Sequence, residues 1–235
     1  MILLKLENIS TGYGKKQVLF DVSLNVDEGE VVVLFGNNGS GKSTLLKAIF
    51  GILPLWNRGK IVFDGQVISG RATDTLLQKG LLYIPQKNNL FEDLSVKENL
   101  EMAALSLPKG LFRQRLEIVL TSFPGLSQLL PRKAMKLSGG ERQLLTLAMA
   151  FIHKPKMILL DEPLTGLSQE SLALVVEAVS ILNERDKITF LIVEHRVKES
   201  ISLASRAIGF KLGAILDFYV INEKFDINNL NKVFV

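Results

Sequence analysis

Val31-Val32-Val33-Leu34-Phe35-Gly36-Asn37-Asn38-Gly39-Ser40-Gly41-Lys42-Ser43-Thr44 is the stretch from which the fold can be read. Its five opening apolar residues mark a strand buried on both faces, as in a parallel sheet. The next eight fit the pattern GxxxxGK[ST], and a helical period runs from Lys42 to Phe50. Strand, glycine loop and helix together make a βα unit. Glycines are needed in such a loop because backbone N–H groups must curl around a phosphate with no Cβ in the way. A helix starting near Lys42 adds its N-terminal dipole, Lys42 reaches the β- and γ-phosphates, and the Ser43 hydroxyl can ligate Mg²⁺. Gly36, Asn37, Asn38, Gly39, Ser40, Gly41, Lys42, Ser43 and Thr44 are therefore the candidate phosphate-binding residues.

A loop of this kind works with a carboxylate at the end of a neighbouring strand, and Met157-Ile158-Leu159-Leu160-Asp161-Glu162-Pro163 supplies one. Successive strand side chains point to opposite faces, so Asp161 and Glu162 are expected to do different work. Asp161 is assigned to the Mg²⁺ shell, through water, and Glu162 to polarising the attacking water. Strands are also expected over Leu3–Asn8, Val18–Val26, Gly59–Gly65, Leu81–Ile84 and Ile188–Val193, and a closing hairpin over Ala207–Ile221. Helices are expected from Ser138 to about His153, over 169–185 and over 196–205. A helical stretch from Ser95 to about Gln128 is opened by the capping box Ser95-x-x-Glu98 and interrupted at Pro108-Lys109-Gly110 and Pro124-Gly125. The alternation of strand and helix predicts an α/β fold with a mainly parallel sheet, an N-terminal antiparallel β layer and a helical insertion.

At 235 residues, 47% apolar and 22% charged, the chain can bury a full-sized core and does not read as disordered. With no cysteine, it has no disulfides, thiolate metal sites, iron–sulfur clusters or cysteine nucleophiles. No run approaches the 18 or so apolar residues of a membrane span. The first residues lack the pattern of a signal peptide, so the expected location is intracellular. Net charge is +4, yet Lys109 to Arg142 alone holds seven basic residues against Glu117 and Glu141. Such a segment meets phosphates, nucleic acid or anionic lipid, or is simply a solvated helical face.

Leu137-Ser138-Gly139-Gly140-Glu141-Arg142-Gln143, some twenty residues before the acidic strand end, resembles the signature motif of ABC (ATP-binding cassette) ATPases. Read from its residues alone, Ser138 caps a helix whose free N–H groups and glycines form a second anion site. The resemblance extends from Tyr13 to about Leu216 and implies one P-loop ABC ATPase domain over 1–235, with a helical subdomain at approximately 87–136. It implies ATP and Mg²⁺ as cofactors, with each ATP held between one P-loop and Ser138, Gly139 and Gly140 of a second ABC ATPase subunit, identical or paralogous. Gln86 is similar to the glutamine that contacts magnesium or the attacking water. His195, after Ile192-Val193-Glu194, is similar to the histidine that hydrogen-bonds the γ-phosphate. Tyr13, in Gly12-Tyr13-Gly14, matches the aromatic that stacks on adenine; a core-packing tyrosine is the other reading.

The same resemblance implies an ATP-hydrolysing subunit, catalytic through Glu162, His195, Gln86 and Lys42, that powers a separate integral membrane permease from the cytoplasm, peripheral on the inner face of the cell membrane. Gly12-Tyr13-Gly14-Lys15-Lys16-Gln17-Val18-Leu19 and Leu90-Phe91-Glu92-Asp93-Leu94-Ser95-Val96 are similar to stretches of the branched-chain amino-acid importer ATPases, and the lipopolysaccharide-transport ATPases share some of these features. Ser168 stands where most of the family ends the loop after the acidic pair in Asp. Phe91 and Leu94 are expected permease contacts or core residues. A non-transport ATPase acting on nucleic acid or ribosomes is the alternative, disfavoured because the basic segment has few aromatics for stacking.

Overall fold

The computed structural model describes residues 1–87, 89–221 and 225. Two sheets organise it. Strands β1 (Ile2–Tyr13) and β2 (Lys16–Asp27) form a long antiparallel hairpin that extends beyond the stretches 3–8 and 18–26 expected. Next in the chain come β3 (Val31–Phe35), helix α1 (Lys42–Ile49) and the pair β4 (Lys60–Phe63) and β5 (Gln66–Val67). One strand was expected over Gly59–Gly65; instead Asp64 and Gly65 both take positive φ, 48° and 71°, and turn the chain back on itself. The antiparallel layer has the order β2-β1-β4-β5.

Helix α2 (Thr73–Gln78), which the sequence reading missed, leads into β6 (Leu81–Ile84). The stretch after it contains α3 (Val96–Ala103) and α4 (Leu111–Ser122), joined and followed by short 3₁₀ turns. Helix α5 (Gly139–Phe151), β7 (Met157–Asp161), α6 (Gln169–Glu184) and β8 (Thr189–Glu194) then alternate. The helix expected over 196–205 is only α7 (Val197–Ser200) and a 3₁₀ turn. Ser200 bonds its hydroxyl back to the Arg196 carbonyl at 2.7 Å, a side-chain competitor to the helical ladder. Strands β9 (Arg206–Lys211) and β10 (Ala214–Val220) close the fold as a hairpin.

The larger sheet has the order β10-β9-β3-β8-β7-β6, parallel except for the edge strand β10. Alternation along β3 divides two cores. Val32 and Leu34 join Leu45, Leu46 and Ile49 of α1 and Leu4, Leu6 and Ile9 of the β layer; Val31, Val33 and Phe35 join α5 and α6. Each fully buried Leu or Ile contributes on the order of 1.5–3 kcal/mol. Helix α1 is thus clamped between the two sheets, and its N-terminus is held where β3 ends.

Candidate functional site

Three strand ends meet beside the glycine loop. Gly39 and Gly41 take φ of 79° and 105°, which only glycine adopts freely, and a Cβ on Gly36 would lie 2.1 Å from the Phe210 carbonyl oxygen. Lys42 is 4% exposed, and its ammonium donates to the carbonyls of Gly36 (2.7 Å) and Asn37 (3.1 Å). Burial holds its pKa below the ordinary lysine value, opposed by the charges of Glu162, Asp161 and Glu194. The Ser43 hydroxyl donates to Asp161 Oδ1 at 2.7 Å, joining helix α1 to the end of β7.

Glu162 lies one residue beyond β7 with φ of 49°. The strict face alternation expected for Asp161 and Glu162 therefore fails, because the strand has ended and the backbone turns. Both carboxylates are joined to groups of the same region, Asp161 to Ser43 and Glu162 to Gln86 Nε2 at 2.7 Å. The Thr165 hydroxyl adds a second donor to Glu162 Oε2 at 3.2 Å, and His195 Nδ1 lies 3.5 Å from the same oxygen.

Tyr13, Val18, Asn38, Gly39, Gly41, Lys42, Ser43, Thr44, Gln86 and Glu162 line one cleft of about 420 Å³. Tyr13 is 46% exposed there, with its hydroxyl 3.5 Å from Thr44 Oγ1, so it is not packed into the core. Gly36, Asn37, Ser40, Asp161 and His195 stand behind or beside this wall. Ser138, Gly139 and Gly140 do not line it. They open α5 with a complete capping box between Ser138 and Glu141. Gly140 has a packing reason of its own: a Cβ there would come within 2.8 Å of Ser171 on α6.

Sequence reasoning missed three residues around this cleft. Tyr83 donates its hydroxyl to Asp161 Oδ2 at 3.0 Å, and burial, reinforced by the Asp161 charge, pushes its own pKa up. Thr165 holds Glu162, and Glu194 is buried behind His195. The sequence offered only a strand tyrosine, a loop threonine and an acid beside a histidine.

The donor set suits a magnesium nucleotide. Ser43 and Asp161 present hard oxygen ligands, while the side-chain oxygen of Ser40 and Nδ1 of His195 are buried without hydrogen-bond partners. The family model described as ABC transporter matches residues 19–165. LivF of Archaeoglobus fulgidus, named as a branched-chain amino acid transport ATP-binding protein, is 33% identical over 231 residues, 98% of each chain. LptB of Haemophilus influenzae, a lipopolysaccharide export system ATP-binding protein, is 35% identical over 220 residues, 92% of this chain and 90% of its own. A dimeric, post-hydrolysis ATP-binding cassette bound to ADP and Pi superposes with a TM-score of 0.80 at 26% identity, covering 94% of this chain and 99% of that one. With the loop, the acidic strand end and these likenesses together, the chain belongs to the ABC transporter family, as an ATP-binding and ATP-hydrolysing subunit.

Proposed function

We propose that the chain works as one of a pair of cassettes, identical or paralogous, and drives an integral membrane permease from the cytoplasmic face of the cell membrane. The observation that carries its hydrolytic part is the seating of Glu162 by Gln86 and Thr165 at the cleft that Lys42 and Ser43 line. A carboxylate held this way has a free oxygen face for a water and a fixed orientation toward the phosphate loop.

In this reading Tyr13 stacks on the base, and the N–H groups of residues 36–44 with the α1 N-terminus cradle the phosphates. Lys42 exchanges its two carbonyl acceptors for phosphate oxygens. Ser43, Asp161 and Gln86 would hold Mg²⁺, with Tyr83 orienting Asp161; bound there, the ion neutralises developing charge on the phosphates. Glu162 accepts the proton of the attacking water. His195 Nδ1, buried without a hydrogen-bond partner, is 3.5 Å from Glu162, and the ring serves the γ-phosphate. Ser138, Gly139 and Gly140 face a second cassette's nucleotide, since they lie outside the cleft of their own chain.

Residues 87–136 are read as the helical subdomain that meets the permease. Phe91 is half exposed, and Asn99 pins the loop before α3 by bonds to the Phe91, Leu94 and Ser95 carbonyls. Among the described residues no helix is long and apolar enough to cross a membrane, which fits a separate permease. The likeness to LivF favours branched-chain amino acids as cargo; the comparable identity of LptB supports a lipopolysaccharide-type export system as the second reading.

Purification of the tagged chain from its native membranes in mild detergent tests this. A polytopic partner in stoichiometric amount is expected, and ATP-dependent uptake of leucine, isoleucine or valine by the reconstituted pair separates the two cargoes. Recovery only in the soluble fraction with RNA or ribosomes would reject the transport reading.

A further inference from the structure

Glu194 is the last residue of β8, and its carboxylate is completely buried. Burying a carboxylate without compensation costs several kcal/mol, and a hydrocarbon side chain would fill the same space without that cost. Backbone N–H groups instead reach both of its oxygens. Oε1 accepts from the Leu164 N–H at 2.8 Å and Oε2 from the His195 N–H at 3.2 Å, with the Arg196 N–H as a further donor. From the other side of His195, Arg196 Nη1 donates to the Leu164 carbonyl at 3.2 Å. Both backbone polar atoms of Leu164 are thereby taken by the two neighbours of His195. Leu164 belongs to the turn that carries Glu162: the next N–H, of Thr165, bonds the Glu162 carbonyl at 3.3 Å, and the Thr165 hydroxyl bonds its carboxylate.

We propose that Glu194 and Arg196 are positioning residues that lock the turn after Glu162 to the strand end bearing His195, and so set the separation of the two side chains across the attacking water. This rests on the roles given above to Glu162 and His195. The two segments are some thirty residues apart in the chain, and among the described residues these are the side-chain bonds that tie Leu164 to the His195 neighbours. In register, Glu194 also lies beside Phe35, immediately before the phosphate loop, so the lock sits at the junction of three site-bearing strands.

The test compares Glu194→Gln, Arg196→Ala and the double variant with the unaltered chain in MgATP hydrolysis, nucleotide affinity and thermal melting, with Glu162→Gln as control. Glu194→Gln keeps the shape but can present only one acceptor oxygen; Arg196→Ala alters a side chain 30% exposed, which also pairs with Glu199 at 3.2 Å, and carries the test if the first variant folds poorly. Each single variant is expected to lower kcat about tenfold with KM for ATP within about twofold, since misplacement by a fraction of an ångström affects the transition state more than binding. Melting of Arg196→Ala should stay close to that of the unaltered chain, whereas Glu194→Gln, which sets an amide donor against buried N–H groups, melts lower; the double variant should lose little more kcat than either single, because both act on one segment. Unchanged kcat in both single variants, or a fall in kcat of Arg196→Ala that merely follows a fall in its melting temperature, would overturn the proposal. Unchanged turnover in Glu162→Gln would instead remove the site assignment beneath it.

Discussion

Lys42 stands on an amine that is buried yet surrounded by acceptors. Its bonds to the Gly36 and Asn37 carbonyls keep the loop curled, and its charge is the one cation among the described residues lining the cleft. Lys42→Ala should weaken binding of a fluorescent ATP analogue and lower turnover by at least about a hundredfold, judged by titration and phosphate release. Glu194 allows a pH prediction with a definite sign. Burial raises its pKa above the ordinary carboxylate value, against the pull of the three N–H groups. The folded chain then binds more protons than the unfolded chain between the two pKa values, so the ionised group costs stability at neutral pH, and this cost disappears as pH falls to the ordinary value. Glu194→Gln lacks that term. Its melting temperature relative to the unaltered chain should therefore be higher at pH 7.5 than near the ordinary carboxylate value of 4.5, and a difference that is flat or reversed would refute the sign. The role of Lys42 was legible beforehand and that of Glu194 was not: an acid before a histidine says nothing of the loop, thirty residues away, whose N–H it captures.

Helix boundaries were the most legible elements. Both capping boxes expected from Ser-x-x-Glu are formed, Ser95 with Glu98 and Ser138 with Glu141, because the bonds lie within one turn and need no tertiary partner. The loop ahead of α3 depends on Asn99, wholly buried, which also accepts from the Phe91 N–H at 2.8 Å. Asn99→Leu strands that N–H and removes one of the two donors from each of the Phe91, Leu94 and Ser95 carbonyls, which keep the backbone N–H groups of Leu94, Ala134 and residue 99. It should cost roughly 2–3 kcal/mol in urea unfolding while leaving nucleotide affinity within about twofold, since Asn99 does not touch the cleft. The turn at Asp64-Gly65 was readable as a hairpin and was passed over, since the flanking strands are too short to show a period of two. The helix expected over 196–205 was overcalled for the opposite reason: its apolar spacing is right, but serine hydroxyls compete for its carbonyls.

The two cores on either face of the larger sheet make α1 and the ends of β3, β7 and β8 one rigid unit. The phosphate loop and the α5 N-terminus do not line the same cleft, so in the proposed arrangement one copy brings only one of its two anion sites to a given nucleotide. Glu162→Gln, slowing hydrolysis while keeping the size of a cleft-lining side chain, should accumulate a species of twice the mass in saturating MgATP by light scattering. A strictly monomeric variant under those conditions would refute the paired arrangement. The basic stretch from Lys109 to Arg142 has a modest part in this picture: Arg113 pairs with Glu117, Arg132 with Glu141 and Arg142 with Glu92, leaving a face partly neutralised by its own acids.

From the order of residues alone come the βα unit, the acidic strand end and the helix caps. Each depends on spacing within a few residues, where backbone geometry leaves little choice. Tertiary structure alone decided which side chains face one another across the sheet. Tyr83 reaches Asp161, Gln86 reaches Glu162, and Glu194 captures Leu164 because parallel strands far apart in the chain end at one level. Strand order and register set those meetings, and they arise from packing two cores against one sheet, which no local pattern encodes.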